Sequence, residues 1–305
     1  MLFTLKLLAG GIKSYAPSTY RGTGGSNSAR YCYSAWLRHF TLIRDAGFAE
    51  PLGSIVELGP GDSIGLGLAA LLSGSHRYIA LDVVEHANRE TNLAIFDELV
   101  DLFQRREPIP SDGEFAGVYP ALPDYSFPFR YFSEGSLHPD RLTRIRSAIE
   151  NPHQSEIIRY VCPWYEASLL EPASVDLIVS QATLQEVEDL PRAYDIMTRW
   201  LKPGGIMSHQ IDFSFLGVDT YFWNQHWGYP ELLWKIIRGK RPYYFNRVPF
   251  SQYIELTKRY GHAIRQVLPV QGRRPGLPPS RVARRFRSLS GTDFATSSAY
   301  ILSTV

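Results

Sequence analysis

A glycine-rich stretch near the start of the chain constrains the fold more than any other feature. Four glycines fall within the nine residues 59–67 of VELGPGDSIGLG, directly after the apolar run Ser54–Leu58. The following residues are apolar at helical spacing as far as Gly74. Glycine is favoured where φ is positive or where a Cβ would collide with a bound molecule. The stretch therefore predicts a buried strand, a ligand-binding loop and a helix whose free amides suit an anionic group.

An acid ends the next predicted strand. The sequence RYIALD runs from Arg77 to Asp82, about twenty residues beyond the glycine loop. In a doubly wound sheet, an acid at this place contacts the two ribose hydroxyls of a nucleoside ligand. The alternative is that Asp82 only caps the following turn. We favour the ribose role, because strand, loop, helix, second strand and acid come in the order that a nucleotide site requires.

A third stretch makes the pattern more specific. Residues 174–190, SVDLIVSQATLQEVEDL, are followed by LKPGG at 201–205. Together with ELGPG at 57–61, they resemble the motifs of the class I S-adenosylmethionine-dependent methyltransferases, in particular a small-molecule branch. The resemblance covers roughly residues 54–74, 78–87 and 175–213. It implies an α/β fold, a doubly wound seven-stranded Rossmann-like sheet with helices on both faces.

The resemblance also implies S-adenosylmethionine as the cofactor and a set of residues that bind it. The first acid and the glycines would lie along the methionine part of the cofactor, and the acid of the second strand would hold the ribose. Trp164 stands where the family commonly has an aspartate, which implies that adenine is held by stacking and backbone amides. The implied cofactor residues are Glu57, Gly59, Gly61, Ser63, Asp82, Trp164 and Gln181.

Methyl transfer to an alcohol also needs a general base. His209 and Asp212 leave the carboxyl end of the fifth predicted strand, where ligands of open α/β sheets gather, and a histidine titrates near neutrality. His226 and Glu186 are weaker candidates. Glu186 replaces the histidine of the family's LEHV motif, so no catalytic role carries over to it. A lone histidine at a strand end can also be purely structural.

Two segments interrupt the predicted sheet. Residues 101–155 are rich in proline and aromatic residues and predict a cover on the sheet, because long loops in compact domains are usually functional or disordered. Residues 217–247 predict a lid over the acceptor, and the alternative is a structural aromatic hairpin. The predicted acceptor contacts in this lid are Asn224, His226 and Trp227.

Composition narrows the class of partner. The net charge of +2 argues against a polyanionic partner, and two cysteines in 305 residues suit a reducing, cytoplasmic setting. No clustered carboxylates or histidines indicate a metal site.

We expect an N-terminal helical segment, 1–50, and a methyltransferase domain, 51–305. Leu2, Leu5, Leu8 and Ile12 share a helical face that predicts packing on the core or a weak membrane-surface contact.

Three functions remain open at this level. The favoured one is methylation of a small-molecule hydroxyl, on a sugar or a natural product. A degenerate methyltransferase fold that serves as a binding module is the alternative from another class. A nucleic-acid methyltransferase is less favoured, because the site after the fourth strand reads Ser180–Thr183, SQAT, where amino-directed enzymes carry a Pro-Pro motif.

Overall fold

The computed structural model describes residues 2–16, 25–49, 52–132, 134–151, 155–215 and 221–305. The predicted boundary between residues 50 and 51 lies outside these ranges. The helices are α1 (Leu2–Lys13), α2 (Ala29–Asp45), α3 (Gly65–Leu72), α4 (Arg89–Arg105), α5 (Pro139–Glu150), α6 (Leu190–Trp200), α7 (Glu231–Arg238), α8 (Phe250–Arg259) and α9 (Gly291–Ala295). The strands are β1 (Ser54–Leu58), β2 (Arg77–Leu81), β3 (Ile158–Val161), β4 (Val175–Gln181), β5 (Leu201–Asp212), β6 (Ala263–Gln271) and β7 (Thr296–Thr304).

Seven strands of the described chain form one sheet in the order β3-β2-β1-β4-β5-β7-β6. The strands from β3 to β5 pair in parallel, and β7 is antiparallel to both of its neighbours. The chain moves outward from β1 to β3 and then returns to place β4 on the other side of β1. This reversal creates the crevice in which open α/β sheets bind ligands. The predicted seven-stranded, doubly wound sheet is confirmed.

Two apolar layers cover the sheet. On one face, α2, α3, α4 and α5 bury alternate strand residues such as Tyr78 and Ala80. On the other face, α6 and α8 cover the residues between them, such as Ile79 and Leu81. Alternate residues of β2 therefore contact opposite apolar layers. The strand is apolar throughout because both of its faces are buried.

Helix α5, in the later part of the predicted 101–155 cover, packs on the sheet, and Tyr119 of the earlier part reaches Gln181 at the end of β4. The rest of segment 106–132 lies over α2. The reason is the fully buried guanidinium of Arg38 on α2. It donates hydrogen bonds to the carbonyl oxygens of Pro110, Val118 and Pro120 at 2.8–2.9 Å. A buried arginine needs such partners, and this loop supplies them.

Helix α1 packs against α7 through part of the predicted face. A Cβ on Gly11 would lie 1.9 Å from the carbonyl oxygen of Ile236, so the two helices touch backbone to backbone there. Phe3, Leu7 and Leu8 pack on a small aromatic cluster, whereas Leu5 and Ile12 are exposed. Of the predicted stripe, Leu8 therefore contacts the core, and Leu5 and Ile12 do not.

Candidate functional site

A cavity of about 460 Å³ opens at the carboxyl ends of β1, β2 and β4. Its size falls within the range of about 300–1,000 Å³ that small-molecule sites occupy. Most of the residues predicted from the sequence to bind the cofactor line it, and Asp212 lines it as well. The predicted residues at its wall are Glu57, Gly59, Gly61, Asp82, Trp164, Gln181, Asp212 and Glu186.

The glycine loop follows β1 and forms the floor of this cavity. Gly59 has φ +66° and Gly61 has φ +72°, values that favour glycine. A Cβ on Gly59 would lie 2.4 Å from the side chain of Thr183 beyond β4. The loop thus lies so close to the β4 end of the sheet that only a glycine fits beside Thr183.

Asp82 follows β2 and is buried beside the loop. Its Oδ2 accepts a hydrogen bond from the Gly61 amide (3.4 Å), and its Oδ1 accepts one from the Val83 amide (2.7 Å). Burial raises the pKa of this carboxyl, and the backbone hydrogen bonds lower it. Asp82 therefore caps the following turn and also lines the cavity. The Val84 amide also donates to Oδ1 (3.4 Å), and since a carboxylate has about four acceptor positions, capacity for a ligand hydroxyl remains on Oδ2.

Glu57, at the end of β1, is a buried carboxyl at the same wall. The hydroxyl of Tyr78 donates to its Oε2. Burial raises the pKa of Glu57 to about 8, despite the hydrogen bond from Tyr78, and the nearby charge of Asp82 contributes to the increase. This carboxyl therefore holds a proton at neutral pH, and a cation in the cavity would favour its ionised form.

Gln181, at the end of β4, is held by two hydrogen bonds. Its Oε1 accepts from Nε2 of His39 (3.0 Å), and its Nε2 donates to the carbonyl oxygen of Tyr119 (3.0 Å). Burial lowers the pKa of His39 to about 4, so this imidazole is neutral. Its Nδ1 accepts from the hydroxyl of Ser208 (2.7 Å). Helix α2 thus fixes the orientation of a cavity residue on β4.

Of the remaining two predicted cofactor residues, Trp164 lines the cavity and Ser63 does not. Trp164 follows β3, stacks on Tyr165 at 4.9 Å between ring centroids, and lines the cavity. Ser63 lies behind the loop and does not line the cavity, which corrects its predicted role. Its hydroxyl donates to the carbonyl oxygen of Ser26, and its amide donates to the hydroxyl of Ser26 at 3.0 Å. Ser26 is the member of this pair that borders the cavity.

His209 is placed away from the cavity, so its predicted role as general base is wrong. Successive residues of a strand point to opposite faces. Ser208 contacts α2, whereas His209 is buried on the opposite face, with its Nδ1 2.8 Å from the hydroxyl of Ser180. Burial lowers the pKa of His209 to about 3. Asp212, three residues later at the end of β5, does border the cavity.

The predicted acceptor contacts lie in the aromatic core instead. Asn224 is buried and its Oδ1 accepts from the Leu277 amide (2.6 Å). His226 stacks on Phe215, and Trp227 is buried close to it. These three acceptor assignments are corrected, because ring packing occupies the side chains. Residues 217–220 of the predicted lid lie outside the described residues.

The last part of the predicted lid does reach the cavity. Tyr243 and Phe245 line it, and the Tyr243 hydroxyl lies 3.3 Å from Nε2 of His86, which follows β2. Tyr31 of α2 and Tyr165 are further lining residues that the sequence analysis missed. They belong to loops and helix ends without a recognisable motif. Only the composition of the aromatic segment indicated that some of its residues would serve the site.

A second cavity, of about 260 Å³, adjoins the first. Asp212 borders both, and Tyr119, which accepts from Gln181, lines the second one. Trp223 lines this second cavity with an apolar ring. Arg273 and Arg274, from the segment that follows β6, line it as well. The carboxyl of Asp212 is held by the Ser214 amide (2.8 Å), and burial raises its pKa.

Comparisons with known proteins agree with this geometry. Residues 135–208 match a family model for a methyltransferase domain. This match identifies a methyltransferase domain in the chain. The cofactor of this domain is S-adenosylmethionine. The glycine loop and Asp82 fit that cofactor, because bare backbone and a buried carboxyl border a cavity of small-molecule size.

Several solved structures are similar to the chain at low identity. An S-adenosylmethionine dependent methyltransferase from Mesorhizobium loti is 14% identical, with a TM-score of 0.43 over 88% of this chain and 98% of its own. Phosphoethanolamine N-methyltransferase 2 from Haemonchus contortus is also 14% identical, with a TM-score of 0.43 over 88% of this chain and 52% of its own. The carbon methyltransferase CurJ is 12% identical, with a TM-score of 0.41 over 89% and 53%. No curated protein matches the sequence.

The described residues also bear on metal sites and membrane spans. Within the described ranges, no group of three or more His, Cys, Asp or Glu side chains is arranged to hold a metal ion. None of the helices in the part of the chain that the structure describes is long and apolar enough to cross a membrane.

Proposed function

We propose that the protein transfers the methyl group of S-adenosylmethionine to a hydroxyl group of a small molecule. The observation that carries this proposal is the position of Asp212, whose carboxyl borders both the large cavity and the second cavity. A base between a cofactor cavity and an acceptor cavity is the arrangement that transfer to a hydroxyl needs.

The cofactor occupies the larger cavity in this proposal. Asp82 accepts a hydrogen bond from a ribose hydroxyl, the amides of the glycine loop contact the methionine carboxylate, and Glu57 faces the cationic end. The ring of Trp164 contacts the adenine. When bound, the cofactor supplies an already activated methyl group. The protein therefore has to orient the two reactants and exclude water, which in well-oriented systems corresponds to effective molarities of about 10⁵–10⁸ M.

Asp212 acts as the general base. Burial raises the pKa of its carboxyl, which makes the carboxylate a better proton acceptor, and the Ser214 amide fixes its orientation. Glu186 is the second candidate, since it lines the same cavity and burial raises its pKa to about 7. A general base typically contributes about 10²–10⁴-fold to the rate.

The acceptor occupies the second cavity. Trp223 offers an apolar wall for a ring, in keeping with a sugar or a natural product. Arg273 and Arg274 border the same cavity and favour an acceptor that carries a carboxylate or a phosphate near its hydroxyl.

Calorimetric titration with S-adenosylmethionine tests the cofactor part of the proposal. The wild type should bind, and Asp82→Ala should weaken binding, whereas Asp195→Ala, which removes an exposed carboxylate from α6, should not. If the wild type does not bind the cofactor, the chain is a non-catalytic member of its fold.

Methyl transfer to a panel of hydroxylated acids, followed by mass spectrometry, tests the base. Asp212→Asn should leave cofactor affinity nearly unchanged and reduce turnover by at least about a hundredfold. If Glu186→Gln has that effect and Asp212→Asn does not, Glu186 is the base. If methyl transfer occurs only to amines or carbon acids, the hydroxyl assignment is wrong.

A further inference from the structure

Exposed apolar side chains are concentrated on the helix pair formed by α1 and α7. Leu5 is 55% exposed, Ile12 64%, Leu232 75% and Ile236 42%, and Tyr15, just beyond α1, is 64% exposed. Among the described residues, these five are the majority of the large hydrophobic side chains exposed to this extent. We name them the α1–α7 surface. Monomeric proteins seldom leave apolar side chains grouped in this way unless the patch contacts a partner.

The two helices run in parallel, which brings their exposed residues together. At their beginnings, the hydroxyl of Thr4 lies 3.2 Å from that of Tyr229, just before α7. At their ends, a Cβ on Gly239 would lie 2.3 Å from the carbonyl oxygen of Gly11. Leu5 therefore lies near the beginning of α7 and Ile12 near its end.

Helical spacing places the apolar residues on the outer side of the pair. On α1, Leu5 and Ile12 are seven residues apart and share a face, away from the buried Gly11. On α7, Leu232 and Ile236 are four residues apart and share a face. Because the two helices touch along their length, their exposed apolar residues belong to one helix pair on the surface.

The same helix pair carries several lysines. Lys6 and Lys13 lie on α1, Lys235 lies on α7 and Lys240 follows it, and α1 contains no acidic residue. The acid of α7, Glu231, is bound by the guanidinium of Arg285 at 2.9 Å. The helix pair thus combines exposed apolar side chains with an excess of positive charge.

We propose that the α1–α7 surface docks the protein on an anionic membrane surface. The leucine and isoleucine side chains enter the headgroup region, and the lysines contact the lipid phosphates, as in amphipathic helices that lie in the plane of a membrane. A second copy of the chain would fit less well, because self-association through this surface would bring lysines against lysines.

Docking in this way would bring the site close to the lipid. Tyr243 and Phe245 follow α7 within a few residues and line the larger cavity. Arg238 of α7 forms an ion pair with Glu188, which lies just beyond the cavity residue Glu186. The proposal does not depend on the identity of the acceptor or on catalysis, because it rests on the outer face of the two helices.

Sedimentation with lipid vesicles tests the proposal. The wild type should pellet with vesicles of phosphatidylcholine and phosphatidylglycerol and much less with vesicles of phosphatidylcholine alone. Leu5→Gln combined with Leu232→Gln should weaken vesicle binding at least about tenfold, because two apolar anchors are lost. Phe129→Ser is the matched control, since Phe129 is 57% exposed on a different segment, and it should bind vesicles as the wild type does.

A second pair of variants tests the charge. Lys6→Gln combined with Lys235→Gln should weaken binding to the anionic vesicles by about fivefold per lysine and leave the weak binding to neutral vesicles unchanged. Cofactor affinity, measured on each variant, should equal that of the wild type and shows that the variants are folded.

Two results would overturn the proposal. One is equal sedimentation of the wild type and the Leu5→Gln, Leu232→Gln variant with anionic vesicles. The other is a dimer in solution that the same double variant dissociates, which would assign the surface to a second copy of the chain. Loss of cofactor binding with intact vesicle binding would refute the proposed function and leave this proposal standing.

Discussion

The buried carboxyl of Glu57 should couple cofactor binding to the release of a proton. Burial raises its pKa to about 8, so most molecules without cofactor carry a proton there at pH 7. The cationic end of S-adenosylmethionine stabilises the carboxylate and lowers its pKa in the complex. Between the lowered pKa and about pH 8, binding must therefore expel the proton, and affinity rises with pH. Above about pH 8 the dependence levels off.

The size of the effect follows from the pKa. Each unit between the pH and the pKa of the free protein costs about 1.36 kcal/mol, or tenfold in affinity. At pH 7 the wild type should bind roughly ten times more weakly than above pH 8, and at pH 6 roughly a hundred times. Glu57→Gln removes the charge, and a hydrogen bond to a charged group contributes about 1.5–3 kcal/mol. The variant should therefore bind about ten to a hundred times more weakly than the wild type at high pH and nearly as well near pH 6.

Calorimetry in two buffers of different ionisation enthalpy measures the proton directly. At pH 7 the wild type should release close to one proton per cofactor bound, and Glu57→Gln should release far fewer. Asp195→Asn, on the exposed surface of α6, is the control and should behave as the wild type does. The reasoning fails if the wild type releases no proton between about pH 6 and pH 8, or if Glu57→Gln releases as many as the wild type.

Four substitutions extend the predictions to other parts of the site. Asp82→Ala should weaken cofactor binding about ten- to a hundredfold by calorimetry, and unchanged affinity would contradict the ribose contact. Gly59→Val should abolish binding while circular dichroism shows a fold, because φ is +66° and a Cβ there would displace Thr183 at the cavity wall. His209→Ala should leave turnover unchanged but cost about 1–3 kcal/mol of unfolding free energy in urea, since Ser180 loses its partner. Trp227→Ala should cost about 3–5 kcal/mol in the same assay, and a loss of acceptor affinity without destabilisation would restore its predicted role.

Local patterns along the chain were sufficient to predict most of the residues that line the larger cavity at the ends of β1 and β2. A run of apolar residues, closely spaced glycines and an acid at a strand end predicted β1, the loop and Asp82. These features were predictable because the carboxyl ends of neighbouring parallel strands meet at one edge of a sheet. Whatever lies at such an end is brought to the same crevice, however far apart the residues are in the sequence.

The acceptor side was not predictable in the same way. His209 and Asp212 come from one strand end, yet only Asp212 borders the cavities, because the face that β5 turns toward α6 and α8 is closed by packing. Trp227 and Tyr243 come from one aromatic segment, yet one is a core residue and the other lines the cavity. A segment rich in aromatic residues can form either a lid or part of the core, so its composition does not distinguish the two.

The sequence by itself determined the strands β1 and β2, the glycine loop between them and the acid at the end of β2, since each of these features is specified by residues that are neighbours along the chain. Only the tertiary structure decided which faces are open. The burial of Arg38 holds the 106–132 loop over α2, and the contact at Gly11 turns Leu5 and Ile12 outward. Both depend on contacts between segments that are far apart in the sequence. Such contacts produce no periodic pattern of residues within either segment, so the sequence alone does not reveal them.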